Sequence, residues 1–125
     1  MNNEAFNKII QLGQLESVDN GGFKLSFSIL KTSEIFKGHF PQQPILPGVI
    51  MIELTMRAAE FAIGNKLRLV AAGNFKFLKM VDPNLIETAE MQLTVSVIER
   101  GWRVKAEIIF QGEIYFKADA SYEQH

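Results

Sequence analysis

The stretch GVIMIELTMRAAEFAI, residues 48–63, decides the fold. It contains no proline and consists mostly of good helix formers, and Gly64 behind it is typical of a helix C-terminus. Apolar residues cover most of its helical circumference, whereas Glu53, Arg57 and Glu60 fall in one narrow stripe at spacing i, i+4 and i+7. Because a helix of this kind is buried rather than laid on a surface, we expect one long central helix.

The residues before this helix predict a β-hairpin. Residues 11–30, QLGQLESVDNGGFKLSFSIL, contain an Asn-Gly-Gly turn at 20–22, which supplies the positive φ angles of a tight turn. Behind the turn, apolar residues alternate with polar ones, which is typical of a strand with one buried face; they are Phe23, Leu25, Phe27 and Ile29. We also expect a short turn of helix at 4–10 and a loop at 31–47.

The residues after the helix predict four strands. We place them at 68–78, 89–99, 103–111 and 113–121. Turn signals separate them at Asp82-Pro83-Asn84, Arg100-Gly101 and Gln111-Gly112. Alternation is clearest in the third of these strands, where Val104, Ala106, Ile108 and Phe110 share one face. The chain is therefore expected to be a single α+β domain, 1–125, in which an antiparallel sheet wraps one central helix.

Such a sheet has two edges, and an open edge strand invites further pairing. Pairing of edges between two copies is a common remedy. We therefore expect a homo-oligomer, at least a homodimer.

Composition excludes several classes of function. The 125 residues carry a formal net charge of −1, so no basic field attracts nucleic acid or an anionic membrane. The absence of cysteine excludes disulfides, thiolate catalysis and cysteine-ligated zinc. The N-terminus does not read as a secretory signal, and no apolar run is long enough to span a bilayer. We expect a cytoplasmic protein.

The segment leading into the helix combines three chemical elements. It reads GHFPQQPILPGVIMIE, residues 38–53, and its three prolines predict a stiff, extended lead-in. His39 can take up a proton near neutral pH. Gly48 begins the helix without a side chain, so its N–H, or that of Val49, could polarise a carbonyl oxygen. Glu53 adds a carboxylate on a buried helix, which needs a partner or a chemical role.

Simpler interpretations of the same residues stay open at this point. A lone histidine in a loop is commonly structural or solvated. Glu53 and Arg57 could form an exposed ion pair, which contributes only about 0.3–0.5 kcal/mol. The apolar neighbours Ile52 and Leu54 argue against a broad solvated face.

The same segment closely resembles the active-site segment of the (3R)-hydroxyacyl-[acyl-carrier-protein] dehydratases, whose form is roughly G-H-F-P-x-x-P-[IVL]-x-P-G-V-x-x-[IL]-E. The matching positions are His39, Phe40, Pro41, Pro44, Pro47, Gly48 and Glu53. The similarity continues more weakly through residues 74–97. The resemblance implies the hotdog fold, an antiparallel sheet around a long central helix that works as a dimer, in agreement with the order of elements deduced above.

The resemblance also implies a division of roles. His39 would remove the C2 proton of a 3-hydroxyacyl thioester, and Glu53 of the other subunit would protonate the departing 3-hydroxyl. The N–H of Gly48 would bind the thioester carbonyl. The implied substrate-binding set is Gly48, Val49, Phe40, Pro47 and Arg57. No metal or other cofactor is required by this chemistry.

Three features depart from the family pattern. Arg57 stands where the family usually has glutamine, and it could favour an ionised Glu53 or turn away to Glu60. The N-terminal His-Arg-x-Pro-like segment of the housekeeping enzymes has no counterpart. The usual Pro-Gly-Asp turn appears as Pro83-Asn84-Leu85. These departures indicate a shortened, dehydratase-like member that serves a specialised acyl pathway.

The resemblance implies a substrate carried by an acyl carrier protein or by coenzyme A. Basic residues near the tunnel mouth would dock an acidic carrier; the candidates are Lys37, Arg68, Lys76 and Lys79. Two alternatives remain beside dehydration. One is a hotdog thioesterase in which Glu53 activates water, and the other is a non-catalytic acyl-binding protein.

Overall fold

The computed structural model describes residues 1–38 and 43–125. The described elements follow one another as α1 (Asn3–Asn7), β1 (Ile10–Val18), β2 (Gly22–Ile29), α2 (Ile35–Gly38), α3 (Gly48–Ile63), β3 (Leu67–Phe77), β4 (Thr88–Ile98), β5 (Gly101–Phe110) and β6 (Glu113–Gln124). Within these ranges the strands form a six-stranded sheet in the order β1-β2-β4-β5-β6-β3, and all neighbouring pairs are antiparallel. The predicted α+β hotdog architecture is confirmed.

Helix α3 has the bounds that its sequence predicts. Pro47 precedes it in an extended conformation, with φ −61° and ψ 144°, which suits a residue that cannot donate a hydrogen bond. At the other end Gly64 adopts φ 86°, and its N–H donates to the Glu60 carbonyl at 2.8 Å. A left-handed glycine that closes the last turn is a common helix terminator.

The first hairpin follows the predicted alternation. Its register runs from Ile10 opposite Ile29 to Val18 opposite Gly22. Asn20 and Gly21 carry the positive φ angles, 61° and 73°. Gly22, predicted as part of the turn, is already the first residue of β2, because it pairs with Val18 of β1 and with Thr94 of β4.

The core lies between α3 and the inner face of the sheet. Strands β5 and β6 contribute their alternate residues to it, and α3 contributes one side. The fully or nearly fully buried side chains of these three elements include Leu54, Ala58, Val104, Ala106, Ile108, Phe116 and Ala120. Thr55 is the buried polar side chain of α3, and its hydroxyl donates to the Met51 carbonyl at 2.9 Å.

Two expectations need correction. Helix α3 is not buried all round, because the sheet covers only one of its sides: Val49 is 67% exposed and Phe61 is also exposed. The segment 31–47 is not wholly a loop, since α2 forms at Ile35–Gly38. The Phe36 and Lys37 N–H groups donate to the carbonyls of Ser33 and Glu34 in this turn, which also buries the Phe36 side chain.

The two sheet edges differ in character. On β1 the ladder is interrupted between Leu12 and Leu15, where the Gln14 N–H donates to the Ser26 hydroxyl at 3.1 Å. Strand β3 pairs with β6 and leaves its outer edge unpaired within the described residues. It carries exposed apolar side chains, among them Val70, which is 55% exposed. None of the described helices has the length and apolar character needed to span a membrane.

Candidate active site

The N-terminus of α3 presents free backbone donors. The Ile50 N–H donates to the Pro47 carbonyl at 3.0 Å. Among the described residues, no backbone carbonyl accepts a hydrogen bond from the N–H of Gly48 or Val49. Unpaired N–H groups at the positive end of a helix dipole are suited to polarise a carbonyl oxygen or to bind an anion.

An open apolar cleft of about 470 Å³ lies beside this helix end. Gly48 and Met51 of α3 line one wall, while Phe77 and Met80 line part of the other. A Cβ added at Gly48 would lie 2.8 Å from Cε1 of Phe77, closer than carbon atoms pack. Glycine is therefore needed here for the aromatic ring to rest against the start of the helix.

Glu53 lies on a different side of α3 from Gly48. Five residues at about 100° per residue separate the two by about 140° around the helix axis. Glu53 does not line the cleft. Its side chain is 16% exposed and faces Arg57, one turn further along.

Arg57 holds Glu53 and is itself held by the N-terminal segment. Its Nε and Nη2 donate to Oε1 of Glu53 at 3.1 and 3.0 Å. Nη2 also donates to the Met1 carbonyl at 2.7 Å, and Nη1 donates to the side-chain oxygen of Asn3. The guanidinium lies 4.7 Å above the centre of the Phe6 ring, a cation–π arrangement. The guanidinium is thus fixed on several sides.

Of the two arrangements that the sequence leaves open for Arg57, the structure adopts the one with Glu53. Glu60 is engaged elsewhere, because its Oε2 accepts a hydrogen bond from the Leu67 N–H at 2.9 Å. The carboxylate of Glu60 thereby fixes the turn between α3 and β3. The polar stripe of α3 consequently divides into an ion pair at Glu53 and Arg57 and a structural contact at Glu60.

Tyr122 is a buried polar residue that the sequence analysis does not single out. It lies on the inward face of β6, is 1% exposed, and its hydroxyl has no hydrogen-bond partner among the described residues. Burial raises the pKa of Tyr122 to about 12, and the negative charge of Glu53 acts in the same direction. The available signal was the alternation of β6, since Phe116, Ala118 and Ala120 predict that residue 122 also points inward.

Two predicted site residues, His39 and Phe40, lie outside the described residues, as does Pro41 of the same motif. Their roles stay predictions. Pro47, Gly48 and Val49 come together at the helix end, and Arg57 lies with Glu53 on the other side of the helix.

The four basic residues considered for carrier docking are mostly paired within the chain. Lys37 pairs with Glu34 at 3.0 Å, Lys79 pairs with Glu113 at 2.8 Å, and Arg68 pairs with Glu123. Lys76 has no ion pair among the described residues and stands opposite Lys117 in the β3–β6 register. Neighbouring like charges on adjacent strands repel each other, which leaves this pair available to an acidic group.

A six-stranded antiparallel sheet with one long helix against its inner face defines the hotdog class. The family model described as "ApeI-like: ApeI dehydratase" matches residues 15–116 of the chain. The chain belongs to the ApeI-like dehydratase family.

Known proteins agree with this assignment. The chain is 30% identical over 93 residues to the 3-hydroxyacyl-[acyl-carrier-protein] dehydratase FabZ of Clostridium acetobutylicum, covering 68% of this chain and 66% of the relative. It is 38% identical over 93 residues to the FabZ of Ruminiclostridium cellulolyticum, covering 65% and 66%. The chain thus spans slightly less than two thirds of these relatives.

Among solved structures, the dehydratase heterocomplex ApeI:P of Xenorhabdus doucetiae includes a chain with the same fold. The TM-score is 0.72 at 17% identity, with 91% of this chain and 97% of that chain covered. At this identity the likeness concerns the fold.

Proposed function

We propose that the protein dehydrates 3-hydroxyacyl thioesters to trans-2-enoyl thioesters, with the acyl group presented by a carrier protein. The observation that carries the proposal is that the N–H groups of Gly48 and Val49 have no backbone partner among the described residues, at a helix end where Gly48 lines an apolar cleft and whose helix also carries the Glu53 carboxylate. Membership of a dehydratase family supports it. The cleft suits an acyl chain, and the donors suit the thioester carbonyl.

The chemistry assigns one task to each group. Hydrogen bonds from the helix N-terminus polarise the thioester carbonyl and stabilise the enolate character that develops when the C2 proton leaves. His39 is the proposed base for that proton. The C3–O bond then breaks as the C2–C3 double bond forms, and the hydroxyl departs as water after it receives a proton. Glu53 is the proposed donor of that proton.

The proposed site is shared between two copies of the chain. Since Gly48 and Glu53 point about 140° apart around one helix, a single helix does not direct both at the same thioester. A second copy can supply the missing carboxylate. The outer edge of β3 pairs with no other strand of the described residues and carries exposed apolar side chains, which supports pairing of this kind. The solved relative from Xenorhabdus belongs to a dehydratase heterocomplex, so a chain of different sequence is the competing partner.

The direct test is an assay of two products. The protein is incubated with a 3-hydroxyacyl thioester on a carrier protein or on a short thiol, and both enoyl thioester and free thiol are measured. We expect enoyl product, and its loss in His39→Ala and in Glu53→Gln. Glu60→Gln is the matched control, because Glu60 lies on the same helix and its amide oxygen can still accept from Leu67.

Thioester hydrolysis is the second candidate, and one observation favours it. The Arg57 guanidinium donates two hydrogen bonds to Oε1 of Glu53. A charged carboxylate is a base rather than an acid, and could activate water against the thioester carbonyl. Free thiol without enoyl product, lost in Glu53→Gln but retained in His39→Ala, would decide for hydrolysis.

A further inference from the structure

Arg57 binds Glu53 at one oxygen only. Its Nε and Nη2 both donate to Oε1, at 3.1 and 3.0 Å, and Oε2 accepts no hydrogen bond from the described residues. Arginine and a carboxylate commonly form a fork in which each oxygen receives one N–H. The pair in α3 departs from that geometry, and the other contacts of the guanidinium indicate what holds it there.

The remaining donors of the guanidinium bind the N-terminal segment. Nη1 donates to the side-chain oxygen of Asn3, and Nη2 gives its second N–H to the Met1 carbonyl at 2.7 Å. The face of the guanidinium lies 4.7 Å from the centre of the Phe6 ring. Because these contacts act on two edges and one face of the group, residues 1–6 set both its position and its tilt.

The segment that makes these contacts is itself anchored. Asn2 caps α1 through its side-chain oxygen, which accepts from the Ala5 N–H at 2.7 Å. Phe6 is fully buried in the core. Helix α1 is therefore held on its buried side and presents Asn3 to the guanidinium.

We propose that Asn3 is a positioning residue of the site: it holds Arg57 so that the guanidinium takes Oε1 of Glu53 and leaves Oε2 to the substrate. Without this contact the guanidinium can shift into a fork that occupies both oxygens. Asn3 donates nothing to the reaction itself. It does not line the cleft, and it acts on the carboxylate through the guanidinium.

The consequence for catalysis rests on the proposed function, in which Glu53 protonates the departing hydroxyl. Oε1 already receives two N–H donors, so Oε2 is the oxygen that can exchange a proton with the substrate. A fork would leave no oxygen for that exchange. Loss of the Asn3 contact should therefore lower kcat and leave KM nearly unchanged, because the cleft proposed for the acyl chain is not touched.

The first test needs no activity. Crystal structures of the wild type, Asn3→Ala and Glu4→Gln show which oxygens Arg57 binds. Glu4→Gln is the matched control, because it breaks only the exposed pair of Glu4 with Lys8 on the same short helix. We expect both donors on one oxygen in the wild type and the control, and a fork on both oxygens in Asn3→Ala. A fork in the wild type, or an unchanged pair in Asn3→Ala, overturns the proposal.

The second test measures kcat and KM for enoyl formation. In Asn3→Ala we expect kcat about tenfold lower with KM within about twofold of wild type. Since Asn3 is exposed, its Tm should hardly change. Asn3→Asp keeps an acceptor oxygen for Nη1 and should keep most of the activity, and Glu4→Gln should keep all of it. Equal losses in Asn3→Ala and Asn3→Asp, or a loss in Glu4→Gln, overturn the proposal.

The two tests separate this inference from the proposed function. A wild type that forms no enoyl product, together with a fork in Asn3→Ala, sinks the function and supports the positioning of Arg57 by Asn3. An active dehydratase whose kcat is the same in Asn3→Ala sinks the positioning role alone.

Discussion

The Arg57 guanidinium and the Glu53 carboxylate form an ion pair 3.0 Å long within one turn of α3, and their side chains are only 12% and 16% exposed. The guanidinium is also bound by the N-terminal segment through the Met1 carbonyl, Asn3 and Phe6. The N-terminal segment therefore helps to fix the carboxylate of the proposed site, because it holds the Arg57 side chain that binds it.

Arg57→Gln should destabilise the protein by about 2–3 kcal/mol at pH 7, because it leaves a mostly buried carboxylate without its partner. The free energy of unfolding is measured in urea. The double variant Arg57→Gln with Glu53→Gln should recover part of this loss, since the unpaired charge is gone. Lys8→Gln breaks the exposed pair with Glu4 and should change stability by less than about 1 kcal/mol. Equal losses of unfolding free energy in Arg57→Gln and Lys8→Gln would contradict the structural role of the buried pair.

Gly48→Ala should lower the activity without lowering the stability. Alanine is the better helix former, but its methyl group would meet the Phe77 ring at 2.8 Å. Because Phe77 is 51% exposed, its ring can swing away, and we expect an unchanged or raised Tm. The displaced ring should obstruct the cleft and reduce kcat/KM by about tenfold or more. Adding Phe77→Ala should restore part of the activity, whereas a double variant as impaired as Gly48→Ala would show that the ring is not the obstacle.

Val70→Lys should weaken self-association of the chain. Val70 lies on β3, an edge strand of the sheet that the described residues form, and a charge added there would have to be desolvated on pairing. Sedimentation velocity should show a smaller species than wild type. Val18→Lys, a matched change on the opposite edge strand β1, should leave the mass unchanged. If only Val18→Lys loses self-association, the interface lies at β1 and not at β3.

Mixing two inactive variants tests whether the site is shared. His39→Ala and Glu53→Gln are unfolded together, refolded as a mixture and assayed. If each site takes His39 from one copy and Glu53 from the other, random pairing restores about a quarter of wild-type activity. The absence of any recovery, with mixed dimers shown by mass spectrometry, would place both residues in one copy.

The buried Tyr122 should make the protein less stable in alkali. Its pKa is raised from 10.0 to about 12 in the folded state, so its contribution is fully present below pH 10 and is lost as the pH rises toward 12. The shift corresponds to about 2–3 kcal/mol. We expect Tyr122→Phe to flatten this part of the stability curve, and Tyr115→Phe to leave it as in wild type. A curve with the same slope in all three proteins would be evidence against a buried phenol.

Much of the fold could be predicted because local signals and tertiary packing agree. Pro47 and Gly64 bracket α3, since one removes a donor and the other adopts a left-handed conformation. The alternation of β5 fixed which residues face the helix. Strand ends moved by up to three residues, as in β6, because the ladder with β3 extends β6 to Gln124. Helix α2 was not predicted, because it is a single turn of four residues, too short for a periodic pattern, and its burial of Phe36 is a tertiary contact.

The candidate site was predictable in part. The family resemblance selected the helix N-terminus and Glu53; in the structure Gly48 lines a cleft and Glu53 lies on a mostly buried face, while their catalytic roles stay predictions. The partner of Arg57 was not predictable, because Glu53 and Glu60 are both within reach along a helix. The Leu67 N–H donates a hydrogen bond to Glu60. Arg57 donates to Asn3 and stacks over Phe6, and these contacts hold its guanidinium beside Glu53.

The sequence by itself determined the central helix, the strand order along the chain and the chemistry available at the helix start. These follow from short-range effects: periodicity, backbone restrictions of proline and glycine, and the types of side chain. Only the tertiary structure decided that Arg57 binds Glu53, that Glu60 accepts from Leu67, and that the Tyr122 hydroxyl is buried without a hydrogen-bond partner among the described residues. Those features depend on contacts between residues distant in sequence, which a local pattern does not encode.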